Sequence, residues 1–251
     1  IIKQFWVSAE ETSGDQSLAN FVPYISSKFD NFISNDIMRP VVLQQNSVFN
    51  FRKIMDEKKI LLVNLSKGRL GDINANLIGL VLVGKIQMAA LSRVDMFGQK
   101  MNDFYLYIDE FQNVTTDSIA SILSEARKYR LSLNIAHQYI NQLEEGIKNA
   151  VFGNVGSMAV FRVGTEDATF LEPKFKPQFT AQDITKLDNY NAYISMLSNG
   201  QPIKPFNIKT FPPESGNPDI VKDLKELSYM KYGRDREEVE TEIMSRYSTM
   251  E

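Results

Sequence analysis

A chain of 251 residues, 43% hydrophobic and 24% charged, is long enough for one large core or a core with an appendage, and its balance is that of a globular protein. A formal net charge of −3 supplies no overall basic field, so contact with nucleic acid must be local or made by the inner surface of an oligomer. With no cysteine and one histidine, disulfides, zinc centres and iron–sulfur clusters are excluded, and a reducing, cytoplasmic setting fits. The longest apolar run, near Leu77 to Val83, is far too short to cross a bilayer, and no signal peptide opens the chain. A chain that opens on Ile1 rather than methionine is expected to be cut from something longer.

Residues 1–40 read as a helical segment. Leu18, Phe21, Val22, Ile25, Phe29, Phe32 and Ile33 recur at helical spacing, with Pro23 as an early interruption. Val41-Val42-Leu43 is a short strand candidate, Phe51 to Glu57 a brief helix, and Lys59 to Leu65 a strongly apolar strand. The turn from Ser66 to Asp72 carries Gly68, Gly71 and two cations. It suits a phosphate or a neighbouring subunit, and equally a plain strand-to-helix connection.

A helix is expected from about Asp72 to Arg93. Within it, Gly79 to Lys85 matches the spacing of a phosphate-binding loop, but Ile86 stands where that loop needs Ser or Thr. Leu77, Leu80, Val81, Gly84, Met88 and Leu91 moreover continue one helical stripe, so the match is a decoy.

Phe104 to Ile108 is a non-alternating run of bulky strand formers, the pattern of a strand buried on both faces, and it ends in Asp109 and Glu110. Ligands of open α/β sheets bind beyond the carboxyl ends of the strands, where these acids fall. An acidic pair can simply start a loop. An apolar strand followed by Asp-Glu is also the form of a Walker B element, in which Asp holds the water shell of Mg²⁺ and Glu polarises the attacking water. Adjacent carboxylates on an extended backbone point in different directions and suit two roles. A carboxylate-only nuclease centre is disfavoured, because no further acids converge in the sequence.

Thr115-Thr116-Asp117 offers capping chemistry for a helix to about Arg130, with Ile119, Ile122, Leu123 and Ala126 inward. Arg127 lies about 17 Å along that helix, too far to serve its own subunit's acids, though it could reach a neighbour's. Glu125, Arg127 and Lys128 can equally be a solvated surface. Leu131 to Ala136 is the next strand and ends in His137-Gln138, where an amide can sense a γ-phosphate or the attacking water; alone, Gln138 is an ordinary loop residue. His137 reads as structural. Ser157 to Val163 is a further strand carrying Arg162, followed by a helix from Gly164 to Leu171, a loop marked by Pro173 and Pro177, and an edge hairpin of Tyr190 to Leu197 with Pro202 to Ile208. A linker at Pro212 to Gly216 leads to two amphipathic helices, one with Ile220, Val221, Leu224 and Leu227, the other with Val239, Ile243 and Met244.

With the Asp-Glu strand, Ser124 to Tyr129, Ala136-His137-Gln138, Asn154-Val155-Gly156 and Phe161 to Gly164 in this order, residues 35–210 resemble the HerA/FtsK superfamily of P-loop ATPases, and within it the type IV secretion and conjugative DNA-transfer ATPases. The resemblance implies an α/β fold, a RecA-like, mostly parallel sheet flanked by helices. It would be truncated on its N-terminal side, with a helical segment 1–40, a core 41–211 and a helical appendage 212–251. It also implies a homohexamer with ATP and Mg²⁺ between subunits, moving DNA, single or double stranded, or engaging secretion-system components, in the cytoplasm or at the cytoplasmic face of a membrane. Matched residue by residue, Asp109 is the Mg²⁺ residue, Glu110 the base, Gln138 the sensor, Arg127 the arginine finger given to the adjacent protomer and Arg162 a second nucleotide contact. The departure is the missing phosphate loop, expected upstream of Ile1, so this stretch alone should bind ATP weakly and hydrolyse little. A non-catalytic assembly module that keeps the fold without turnover is the alternative.

Overall fold

The apolar run ending in the acids forms a strand, β1 (Phe104–Ile108), paired in parallel with β2 (Leu131–Ile135) so that Leu106 lies beside Leu133 and Ile108 beside Ile135. The structure is a computed structural model and describes residues 23, 24, 27, 29, 30, 32–115 and 117–248. These fall into two compact units. One takes the described residues up to Phe49, Ser66–Ala75 and those from Asp219 onward; the other, with β1 and β2, takes Asn50–Leu65 and Asn76–Pro218.

The helices with described bounds are, in chain order, α1 (Arg39–Val42), α2 (Phe51–Asp56), α3 (Lys67–Leu70), α4 (Asp72–Leu91), α5 (Asp117–Glu125), α6 (Glu145–Asn154), α7 (Thr165–Phe175), α8 (Ala181–Thr185), α9 (Pro218–Tyr232) and α10 (Arg236–Ser248). A parallel pair needs a crossover, and α5 provides it. Phe51 and Met55 of α2, Val83, Ile86 and Ala90 of α4, Ile119 and Ile122 of α5, and Ile147 and Val151 of α6 are buried in one cluster, against which Phe104, Leu106 and Ile108 of β1 pack. Burial of each such side chain contributes about 1.5–3 kcal/mol. Gly79 is required there, since a Cβ would run into the Val114 side chain and meet Leu65 Cδ1 at 3.1 Å. The phosphate-loop look-alike is thus interior to a helix.

Several expectations are corrected. Among the described residues only β1 and β2 are parallel; β3 (Met158–Val160), β4 (Asn191–Ser195) and β7 (Phe206–Lys209) form a separate antiparallel sheet, and β5 (Leu197–Ser198) with β6 (Gln201–Pro202) a small hairpin. The short return from β4 through Asn199 and Gly200, both at positive φ, permits only antiparallel pairing. The strand β1 is covered on one face rather than both, Tyr107 being 74% exposed and Tyr105 58%. Lys59 to Leu65 is not a strand: among the described residues no neighbour supplies a ladder, and Ile60 is 89% exposed. Val41 and Val42 end a helical turn instead of starting a strand: Asn35 Oδ1 accepts from the N–H groups of Ile37 (2.9 Å) and Met38 (3.0 Å), and Pro40 presets helical φ. The helix α7 runs on through Pro173, beyond the loop expected there.

In the first unit, Val239 and Ile243 of α10 are buried, whereas Ile220, Val221, Leu224 and Leu227 of α9 are exposed. Of the N-terminal helical pattern, Phe29, Phe32 and Ile33 are helical, while Leu18, Phe21, Val22 and Ile25 lie outside the described residues, as does Thr116 of the expected cap. Among the described residues one run, Asp72–Met96, is long and apolar enough to cross a membrane by length and composition. Its Val83, Ile86 and Ala90 belong to the core cluster.

Candidate functional site

Beyond Ile108 the ladder continues for one step, the Ala136 N–H donating to Ile108 O (2.9 Å) and the Phe111 N–H to Ala136 O (2.9 Å), so the chain after β1 stays beside the chain after β2. Between these anchors Glu110 adopts φ 50°, ψ 47°, left-handed geometry rather than the extended form expected of it. Such a conformation is uncommon for a residue with a Cβ and clusters at functional sites. It turns the backbone at once into a 3₁₀ segment, Phe111–Val114, with the Asn113 N–H donating to Glu110 O at 2.9 Å. Phe111 and Val114 are buried and hold the turn down.

The consequence is a clamp on one carboxylate. Glu110 Oε1 accepts from Gln138 Nε2 at 2.7 Å, and Glu110 Oε2 accepts from Gln112 Nε2 at 2.7 Å. Each oxygen thus receives an amide donor, which fixes the carboxylate's orientation. Asp109 is exposed, its Oδ1 accepting from the Glu110 N–H at 3.0 Å, and it forms no ion pair among the described residues. Asp109, Glu110 and Gln138 therefore meet at the carboxyl edge of the parallel pair. Gln112 is a partner that sequence reasoning missed; two positions past the acid it signals nothing unless the left-handed turn is known.

The two arginines sit elsewhere. Arg127 is exposed in the 3₁₀ segment Ala126–Tyr129, which leads into the start of β2. The Phe104 N–H donates to Arg130 O at 2.8 Å, so this turn flanks the beginning of β1, the end opposite the acids. A five-residue strand separates the two ends, about 16 Å at 3.3 Å per residue. Arg162 donates through Nη2 to Asn189 Oδ1 (3.1 Å) and through Nη1 to Leu187 O (3.5 Å), a tie across the second sheet's connections. His137 is half-buried next to Gln138, and no cluster of His, Asp or Glu able to hold a metal occurs among the described residues.

The Arg127 turn is held from beneath. Arg93, fully buried, donates through Nη1 to Tyr129 O (2.9 Å) and Asn102 O (3.0 Å) and through Nε to Asp56 Oδ1 (3.1 Å). Asp56 Oδ2 in turn receives Arg52 Nε at 2.5 Å. A buried guanidinium with these partners is a fixed strut between α2, the end of α4 and the turn.

Residues 103–172 match the family model described as the TraM recognition site of TraD and TraG. Over that stretch, which includes Asp109, Glu110, Arg127 and Gln138, the resemblance to the conjugative ATPases of the HerA/FtsK type holds. Similar solved structures include the bacterial conjugative coupling protein TrwB in unbound form, 16% identical with TM-score 0.46 over 59% of this chain and 39% of that one. Another is the genome packaging NTPase B204 from Sulfolobus turreted icosahedral virus 2 in complex with AMPPCP, 15% identical with TM-score 0.46 over 67% of this chain and 74% of that one. The chain thus spans about two fifths of the coupling-protein structure. No curated protein matches it.

Proposed function

We propose that this stretch is the hydrolytic part of an ATP-driven, RecA-like motor that moves DNA or a secretion substrate in conjugative transfer, working as a hexamer in the complete protein. The observation that carries the reading is the Glu110 carboxylate at the carboxyl end of β1, gripped at 2.7 Å by Gln138 in the segment that follows the neighbouring strand. A general base must be ionised, aimed and within one hydrogen bond of the water it deprotonates. Glu110 is aimed by two amides, and Gln138, already bonded to it, is placed to orient the same water. Asp109, exposed at the strand's end, has the oxygens to hold water on Mg²⁺. The ion, when bound, would neutralise charge on the phosphates.

Arg127, at the far end of β1, is assigned to the neighbouring protomer's site, and Arg162 remains a second nucleotide contact that would first have to leave Asn189. The family match names TraM recognition, so a protein of that kind is a candidate partner for 103–172. The test is ATP binding and turnover by the complete protein carrying Glu110→Gln. Binding should persist while kcat falls by about 10²–10⁴, the range for losing a general base. An unchanged kcat overturns the assignment.

A further inference from the structure

Gln138 is exposed and lies three residues past the end of β2; the last ladder bonds on that side are made by Ala136, and the lean of Gln138 toward Glu110 also depends on what holds the chain after it. Two of the next three residues, Ile140 and Asn141, are tied to α7. The Ile140 N–H donates to Asp167 Oδ2 at 3.3 Å; Asp167 is only 8% exposed. Asn141 Nδ2 donates to Glu166 Oε2 at 3.1 Å. The Ile140 side chain is buried in one cluster with Ala168 and Leu171, two further α7 residues. Asp167 and Glu166 stand in the first turn of α7, where a carboxylate is favoured by the helix's unpaired N–H groups, and Tyr139 and Asn141 line a cleft with Gly164 to Asp167.

A buried carboxylate that accepts a main-chain N–H from a loop two residues past a site amide is a constraint on that amide. Losing it leaves the Ile140 N–H without a partner and lets the segment open locally. We propose that Asp167 is a positioning residue for Gln138: through Ile140 it sets the distance at which Gln138 meets the Glu110 carboxylate. This rests on the function proposed above, in which Gln138 and Glu110 act on the water together.

The experiment uses the complete protein and two readouts. In hydrogen–deuterium exchange, Asp167→Ala should speed exchange of the amides of 138–142 by about tenfold, the effect of one lost hydrogen bond to a buried group, and Asp167→Asn, which keeps an acceptor, should restore protection. In ATP turnover, Asp167→Ala should lower kcat about tenfold with KM within about twofold, and adding Gln138→Ala should cost no more than Gln138→Ala alone. Unchanged exchange in Asp167→Ala, or losses that multiply in the double variant, overturn the proposal. If Gln138→Ala leaves kcat intact, the proposed site chemistry fails, while the positioning role still stands or falls on the exchange result. Should Asp167→Ala not fold, Asp167→Ser keeps a polar group at the start of α7 but is too short to reach the Ile140 N–H, and it should raise exchange of the same amides about tenfold; no rise overturns the proposal.

Discussion

The two ends of β1 are built on opposite terms. At its carboxyl end polar side chains hold one another near solvent: Glu110 between Gln138 and Gln112, with Asp109 beside them. At its amino end the polar group is buried, Arg93 bracing the backbone of Tyr129 while Arg127 projects from the braced turn. The first end can exchange partners at little cost, since amide–carboxylate bonds near water are readily replaced. The second cannot, because an unpaired buried guanidinium is expensive. On the proposed function, the first end would handle the water and the second would be a rigid mount for a cation, with a strand's length between.

The strongest expected break in that contrast is Arg127→Ala. In the assembled protein it should lower ATP turnover by about 10³ or more, as loss of an arginine finger does, while leaving melting temperature and ATP affinity near wild type. A turnover loss of a few fold would return Arg127 to the solvated surface. Next in size is Arg93→Met, which takes the Arg93 donor from Asp56 Oδ1 and from two carbonyls while Arg52 still holds Asp56 Oδ2. Urea unfolding should show a loss of about 3 kcal/mol, against under about 1 kcal/mol for the exposed Arg130→Met, whose pairing with Asp103 spans 3.5 Å. Equal losses would mean that the buried strut does not hold the turn.

The smallest effect concerns the α7–α8 corner. Glu172 is held below the ordinary carboxylate range by the Ala181 N–H and then by Lys176, and Asp183 by the Thr180 N–H and hydroxyl. Groups whose values are depressed on folding add stability above their unfolded values and lose it as pH falls through the folded ones. Stability should therefore be flat near neutrality and decline as pH drops below about 4, and Glu172→Gln should shallow that decline. An acid limb of unchanged slope in the variant contradicts the assignment.

The placement of Asp109, Glu110 and Gln138 was legible because its signal is local. Five bulky residues followed by two acids, and a second apolar run followed by His-Gln, place Asp109, Glu110 and Gln138 at strand ends without knowledge of the rest. The turn that joins them was not: Glu110 in left-handed geometry and the recruitment of Gln112 depend on Phe111 and Val114 finding the core, a tertiary event. Lys59 to Leu65 has strand composition but pairs with no strand among the described residues, and strand formation is a property of pairs. Tyr105 and Tyr107 read as buried because they are apolar and bulky, yet whether a second face is covered depends on what lies against it. The grip of Asp167 on Ile140 joins residues 27 positions apart and carries no periodic signature.

The most direct test mixes two inactive forms of the complete protein, Glu110→Gln and Arg127→Ala. If the opposite ends of β1 serve different protomers, mixed assemblies contain interfaces that draw Glu110 from one form and Arg127 from the other, and ATP turnover should recover above either form alone. No recovery at any mixing ratio, with mixed assembly verified, would contradict it.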